Sequence, residues 1–224
     1  MIIKGYAVTL SRLTVNDIEQ VRQWRNSEKI RQFMEFRQEI TPEMQEKWFA
    51  SIDNEFNNYY IIHDGATKIG LIYGAEIDWE KGITGNGGIF ISDESYWNTY
   101  FPLSATLLLM EISFILGMKA AYIKVLRDNE KAIQFNTNIG FELMENQNDV
   151  VNQQYILTKK SYDLKTEKIR QLVEKVYSNA ITIIINDPSH PVSKKAIRDY
   201  ENQSSEVKKR VTMIVDRNIN LSNA

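Results

Sequence analysis

Residues 87–141 read GGIFISDESYWNTYFPLSATLLLMEISFILGMKAAYIKVLRDNEKAIQFNTNIGF, and the order of patterns in them decides the fold. The apolar run at 88–92 predicts a strand, and the polar stretch at 93–101 predicts a turn. Residues 102–116 are almost wholly apolar and long enough for a helix, with Pro102 tolerated in its first turn. AYIKVL at 121–126 predicts another strand. Residues 130–138 follow as a helix, with Asn129 as its N-cap, and Gly140-Phe141 ends the unit. A strand that turns into a helix N-terminus presents backbone N–H groups to a phosphate.

Outward from this unit, residues 58–64 and 68–78 predict a hairpin around Gly65, with a second turn region at 82–87. Residues 6–13 predict a first strand. Thr14 or Asn16 caps a helix over 17–26 that places Ile18, Val21 and Trp24 on one face. Thr41-Pro42 starts another, to about residue 54, burying Trp48, Phe49 and Ile52. Residues 141–147 and 153–157 predict a closing hairpin. The expected fold class is α/β (α+β): a mixed central sheet flanked by helices, over residues 1–160.

Residues 161–224 read as a C-terminal extension. A helix over 165–176 shares Ile169, Leu172, Val173 and Val176 on one face, and 181–186 is strand-like. Asp187 to Pro191 breaks regular helix. Beyond it, Ile197, Tyr200, Val207, Val211 and Ile214 recur at three- and four-residue steps. That spacing predicts an amphipathic helix packed on its own domain, with a coiled coil and a homodimer as the alternative.

Composition bounds the function. The chain has 224 residues, no cysteine, two histidines and a formal charge of −2. Disulfides, thiolate metal sites and a cysteine nucleophile are excluded, and His63 and His190 are too far apart in sequence to suggest a metal site. The charge gives no support for nucleic-acid binding. No apolar run approaches a membrane span, and the N-terminus lacks a signal-peptide pattern. The expectation is a cytoplasmic protein.

Asn129, Ala132, Gly140 and Phe141, with the preceding strand, resemble a segment of the GCN5-related N-acetyltransferase (GNAT) superfamily, N-x-x-A-x-x-x-(Y)-x-x-x-G-F. The likeness covers about residues 8–160. WRNSEKIRQFM at 24–34 and ITPEMQEKWFASI at 40–52 resemble acetyltransferases of nucleotide-linked amino sugars, of the pseudaminic acid pathway type. They are less similar to those of ribosomal-protein N-termini. The resemblance implies acetyl-CoA as co-substrate, no metal, and a small-molecule amine acceptor that attacks the thioester directly. It implies that pantetheine pairs with Ile89, Phe90 and Ile91. The pyrophosphate then sits near Trp97, Asn98, Thr99, Leu103 and Ser104, and Asn129 faces the thioester. Glu76 is the candidate base, and Arg25, Asn26 and Tyr96 are candidate acceptor contacts.

Each of these residues also has a plain structural reading: Asn129 as a cap, Arg25 and Asn26 as a helix C-terminus, Glu76 as an exposed strand carboxylate. The pyrophosphate turn departs from the family's Q/R-x-x-G-x-G/A, with Trp97, Tyr100 and Pro102 in place of its key residues. Asn136 stands where many relatives have an acidic tyrosine. Gln45 stands where the amino-sugar group often has histidine, and reads as an exposed helix residue. Besides the amino-sugar enzyme, two alternatives follow: a protein N-terminal acetyltransferase, and a non-catalytic domain of this fold serving binding or assembly.

Overall fold

The structure, a computed structural model, describes residues 1–177 and 180–216. One 10-stranded sheet runs through it. The chain opens with β1 (Ile2–Gly5) and β2 (Val8–Arg12), a tight hairpin where the sequence suggests one strand. Tyr6 and Ala7 make its turn, both at positive φ. Three helices follow: α1 (Ile18–Asn26), α2 (Glu28–Arg31) and α3 (Pro42–Ile52). Thr41 caps α3 as expected, its Oγ1 accepting from the Met44 N–H at 3.2 Å. At α1 the capping position belongs to Asp17, not Thr14 or Asn16. Asp17 Oδ2 accepts from both the backbone N–H and the hydroxyl of Thr14, so the carboxylate orders the turn leading into the helix.

The strands β3 (Asn58–Asp64), β4 (Thr67–Asp78) and β5 (Ile83–Ile91) form the antiparallel meander. β5 takes in residues 83–87, expected as turn. The chain reverses earlier, where the Gly82 N–H donates to the Asp78 carbonyl at 2.8 Å. Then come α4 (Phe101–Ile115), β6 (Ala120–Leu126), α5 (Glu130–Ile139), β7 (Glu142–Leu143) and β8 (Asn152–Thr158). Asn129 caps α5, accepting from the Ala132 N–H at 3.1 Å, and Gly140 ends it at φ +112°. That left-handed conformation favours glycine.

The rest is α6 (Lys159–Tyr177), β9 (Ile181–Ile185), α7 (Pro191–Glu201), α8 (Ser205–Arg210) and β10 (Val211–Val215). The single amphipathic helix expected through Ile214 is corrected here. Ser204 caps the separate short α8, and residues 211–215 are a strand parallel to β9. The β-branched run found a free strand edge, and pairing there outweighs a helical spacing that only approximates a heptad. Sheet order is β10-β9-β1-β2-β3-β4-β5-β6-β8-β7, so the last segments lengthen the sheet at its β1 edge.

Two cores flank the sheet. On one face α4 and the C-terminal helices pack over Leu10, Ile62, Ile72 and Ile123. On the other, α1, α2 and α3 cover Leu13, Tyr59, Ile61, Leu71 and Phe90. Gln45, expected to be exposed, is 4% exposed, because it shares an inward face with Trp48, Phe49 and Ile52. Its Nε2 has no hydrogen-bond partner among the described residues.

Candidate active site

The sheet opens between β5 and β6. These strands are parallel and pair at Ile83↔Ala120, Thr84↔Ala121 and Gly87↔Ile123, and no further. Beyond that point β5 stays paired with β4 through Ile91, and β6 with β8 through Leu126. The segment Gly88–Phe90 therefore has one unpaired hydrogen-bonding edge facing a widening gap. An extended ligand with amide groups can add to such an edge as a further strand would. Ile89 and Ile91 point to the α4 side, and Phe90 to the α1 side, edge-on to Trp24 at 6.3 Å.

At the far end of the gap lies the turn into α4. Trp97 is half-buried and its Nε1 donates to the Ile91 carbonyl at 2.9 Å, closing the strand's end. Thr99 Oγ1 donates to the Tyr96 carbonyl at 2.7 Å. The Ser104 N–H is spent on the Tyr100 carbonyl at 2.8 Å, and its side chain is buried. The N–H groups of Asn98, Tyr100 and Leu103 have no hydrogen-bond partner among the described residues. A helix start with free donors suits an anion. The substituted turn thus has unpaired backbone donors at a helix start, with exposed Asn98 and Thr99 beside it.

A second cluster of side chains lies on the α1 and α3 face of the sheet, beside the gap. Tyr59 and Tyr73 pair across β3 and β4, with rings stacked 4.7 Å apart at 11°, and Trp48 meets Tyr59 edge-on at 5.3 Å. Burial raises the pKa of both phenols; the Arg25 charge works against this, while Glu76 adds to it. Arg25 is half-buried, and among the described residues its guanidinium has neither an ion pair nor a hydrogen bond. Burial lowers its pKa, opposed by the fields of Tyr73 and Tyr59. Glu76 sits in β4 at φ +55°, opposite Gly85 and between the pairs Ala75↔Asn86 and Ile77↔Thr84. Gly85 lies beneath it; a Cβ there would come within 3.0 Å of Glu76 Cβ.

The structure thus brings Arg25 and Glu76 together around Tyr59 and Tyr73. Asn26 lies beside them in sequence but is occupied elsewhere: Oδ1 accepts from the Ile40 N–H and Nδ2 donates to the Ile40 carbonyl, each at 2.8 Å. It does not take up the left-handed cap conformation. Tyr96 sits at the opposite end of β3 and β4, its hydroxyl donating to Asp64 Oδ2 at 3.1 Å. Asn129 Oδ1 is engaged in capping, and Asn136 Nδ2 donates to the Ala132 carbonyl at 2.8 Å. His63 bonds Ser11 at 2.8 Å, away from this cluster. Tyr59 and Tyr73 are not evident as site residues from sequence. The available signal is the Gly87-Gly88 doublet inside a strand, which marks a close approach by another group.

Among the described residues no three His, Cys, Asp or Glu side chains are placed to hold a metal ion, and no helix is long and apolar enough to cross a membrane. Comparison with known proteins gives the following. Residues 7–142, more than half of the chain, match the family model for an acetyltransferase (GNAT) domain. No curated protein sequence matches. Among solved structures, apo FdhC, a nucleotide-linked sugar GNAT, is similar with TM-score 0.63 at 21% identity, over 77% of this chain and 98% of that one. Spermidine N-acetyltransferase from Vibrio cholerae, in complex with CoA and spermine, gives 0.61 at 19%, over 70% and 99%. Aminoglycoside acetyltransferase AAC(6')-Ib with coenzyme A gives 0.59 at 19%, over 70% and 98%. The chain belongs to the GNAT acetyltransferase family, and its co-substrate is acetyl-CoA.

Proposed function

We propose that this acetyltransferase acts on the primary amine of a small anionic acceptor, a nucleotide-linked amino sugar. The observation that carries the reading is Arg25, a half-buried cation in the acceptor cleft without an anionic partner among the described residues. An uncompensated buried charge is unfavourable, and a phosphate oxygen of the acceptor would compensate it. A polycation such as spermidine would instead meet like charge there. The fold likeness to a nucleotide-linked sugar GNAT agrees with this, as a likeness of shape.

In this reading the acyl donor lies along Gly88–Phe90 with its pyrophosphate at Asn98, Tyr100 and Leu103. The amine attacks the thioester carbonyl directly. It must be neutral to do so, and Glu76 takes its proton through a water molecule. Positioning in the gap supplies most of the acceleration.

The test is thiol release from acetyl-CoA with three acceptors: a nucleotide-linked amino sugar, spermidine and an N-terminal peptide. The first should be preferred. Arg25→Ala should raise its KM about thirtyfold, the equivalent of about 2 kcal/mol for a charge-assisted hydrogen bond, and leave the KM for acetyl-CoA unchanged. Preference for spermidine, or an acceptor KM indifferent to Arg25, would refute the reading.

A further inference from the structure

We propose that Tyr73 is the proton donor to the departing thiolate of CoA, a role that Asn136 cannot fill. The inference rests on the acetyl-transfer reading above and names a residue for its last step.

Four features of the structure converge on the Tyr73 hydroxyl. It lies directly over Gly88, its cross-strand partner; a Cβ on Gly88 would come within 2.7 Å of the phenol oxygen. Gly88 is the first β5 residue past the last β5–β6 pair, so the hydroxyl overlooks the mouth of the gap. Tyr73, Gly87, Gly88, Ile89, Ile123 and Asn136 all line one cavity. The hydroxyl has no hydrogen-bond partner among the described residues, although stacking on Tyr59 holds its ring in place.

Asn136 reaches the same cavity from the α5 side. Its amide donates to its own helix, and an amide is not an acid at neutral pH. Tyr73 approaches from the acceptor side. Burial keeps its phenol protonated until the sulfur needs the proton, and the nearby Arg25 charge favours the phenolate that results.

The step balances as follows. The amine lone pair forms the C–N bond. The C–S bond breaks and its electron pair stays on sulfur, which takes the Tyr73 proton and leaves as the CoA thiol. Glu76 has by then released the ammonium proton to solvent; the second proton, lost by the nitrogen as the C–N bond forms, passes through water to Glu76 and from there returns to the Tyr73 phenolate. The products are the acetamide and the CoA thiol, with both side chains restored.

Tyr73→Phe keeps the ring and its stacking, so the melting temperature should not change. Its kcat should fall about a hundredfold with the KM for acetyl-CoA unchanged. Adding Asn136→Tyr to Tyr73→Phe should recover much of the loss, since a phenol then returns to the cavity from the other side. A second readout needs no turnover. Calorimetric titration should show wild type binding CoA about fivefold more tightly than desulfo-CoA, and Tyr73→Phe binding both equally. Tyr73→Phe with wild-type kcat, or an unchanged preference for the sulfur, would overturn the proposal. If the sulfur preference is lost but none of the three acceptors is turned over, the acceptor reading fails and the assignment of Tyr73 stands.

Discussion

Glu76, the proposed base, carries backbone strain. A non-glycine residue at φ +55° is disfavoured by about 1 kcal/mol or more, and the charge of its carboxylate is felt by the tyrosine pair. Glu76→Gln should lower kcat about a hundredfold, read by thiol release at saturating acetyl-CoA. Glu76→Gly should lose activity similarly, yet melt no lower than wild type, because glycine relieves the strain. A clear drop in its melting temperature would refute the strain argument. Asp17 acts on stability alone. Desolvation raises its pKa, but hydrogen bonds from Lys68 and Thr14 outweigh this and leave the folded value below the ordinary 3.8. Its contribution is therefore present at neutral pH and is lost as pH falls below about 4 through the folded value. Asp17→Asn should flatten the acid limb of stability below about pH 4, seen in urea unfolding at a series of pH values. Neither the strain at Glu76 nor the bonds of Asp17 is legible in sequence, since both depend on partners set by the fold.

At the scale of elements, the gap between β5 and β6 depends on where pairing stops. Gly87 is the last residue of β5 paired with β6, and Gly88 leaves room for the Tyr73 ring. Gly88→Ala would place a methyl 2.8 Å from ring carbons, so the ring must move. The expected result is a loss of about 1–3 kcal/mol in stability together with weaker acceptor binding, measured by chemical unfolding and acceptor KM. An unchanged KM would mean that the Tyr73 ring is not part of the acceptor cleft. Helix α4 was readable from its length and from Pro102, and α5 from Asn129. The free donors at Asn98, Tyr100 and Leu103 were not, because which N–H groups remain unpaired depends on the local path of the turn.

At the scale of the whole molecule, the C-terminal segments hold α4 in place. Glu111, on α4 and 7% exposed, accepts from Arg210 Nη1 at 2.6 Å and from the Tyr162 hydroxyl at 3.2 Å, with Arg170 at 3.5 Å. Arg210 also donates to the Tyr6 hydroxyl at 2.9 Å, and burial with the Glu111 charge pushes the Tyr6 pKa up to about 12. Three parts of the chain, far apart in sequence, meet at one carboxylate. Arg210→Ala removes its shortest contact and should destabilise the protein by about 2 kcal/mol in denaturant unfolding. A change within experimental error would mean that Arg170 and Tyr162 suffice.

The sequence by itself determined the order of strands and helices from β3 to β8, the caps at Asn129 and Thr41, and the family, which is carried by Asn129, Ala132, Gly140 and Phe141. These are local patterns, set by spacing within a few residues. Only the tertiary structure decided the rest. It placed Tyr59 and Tyr73 with Arg25 and Glu76, buried Gln45, and turned residues 211–215 into a strand beside β9. Each of these outcomes is a contact between segments far apart in the chain. A side chain's exposure, its charge environment and the pairing of a strand edge depend on the neighbour that arrives, and local pattern does not name that neighbour.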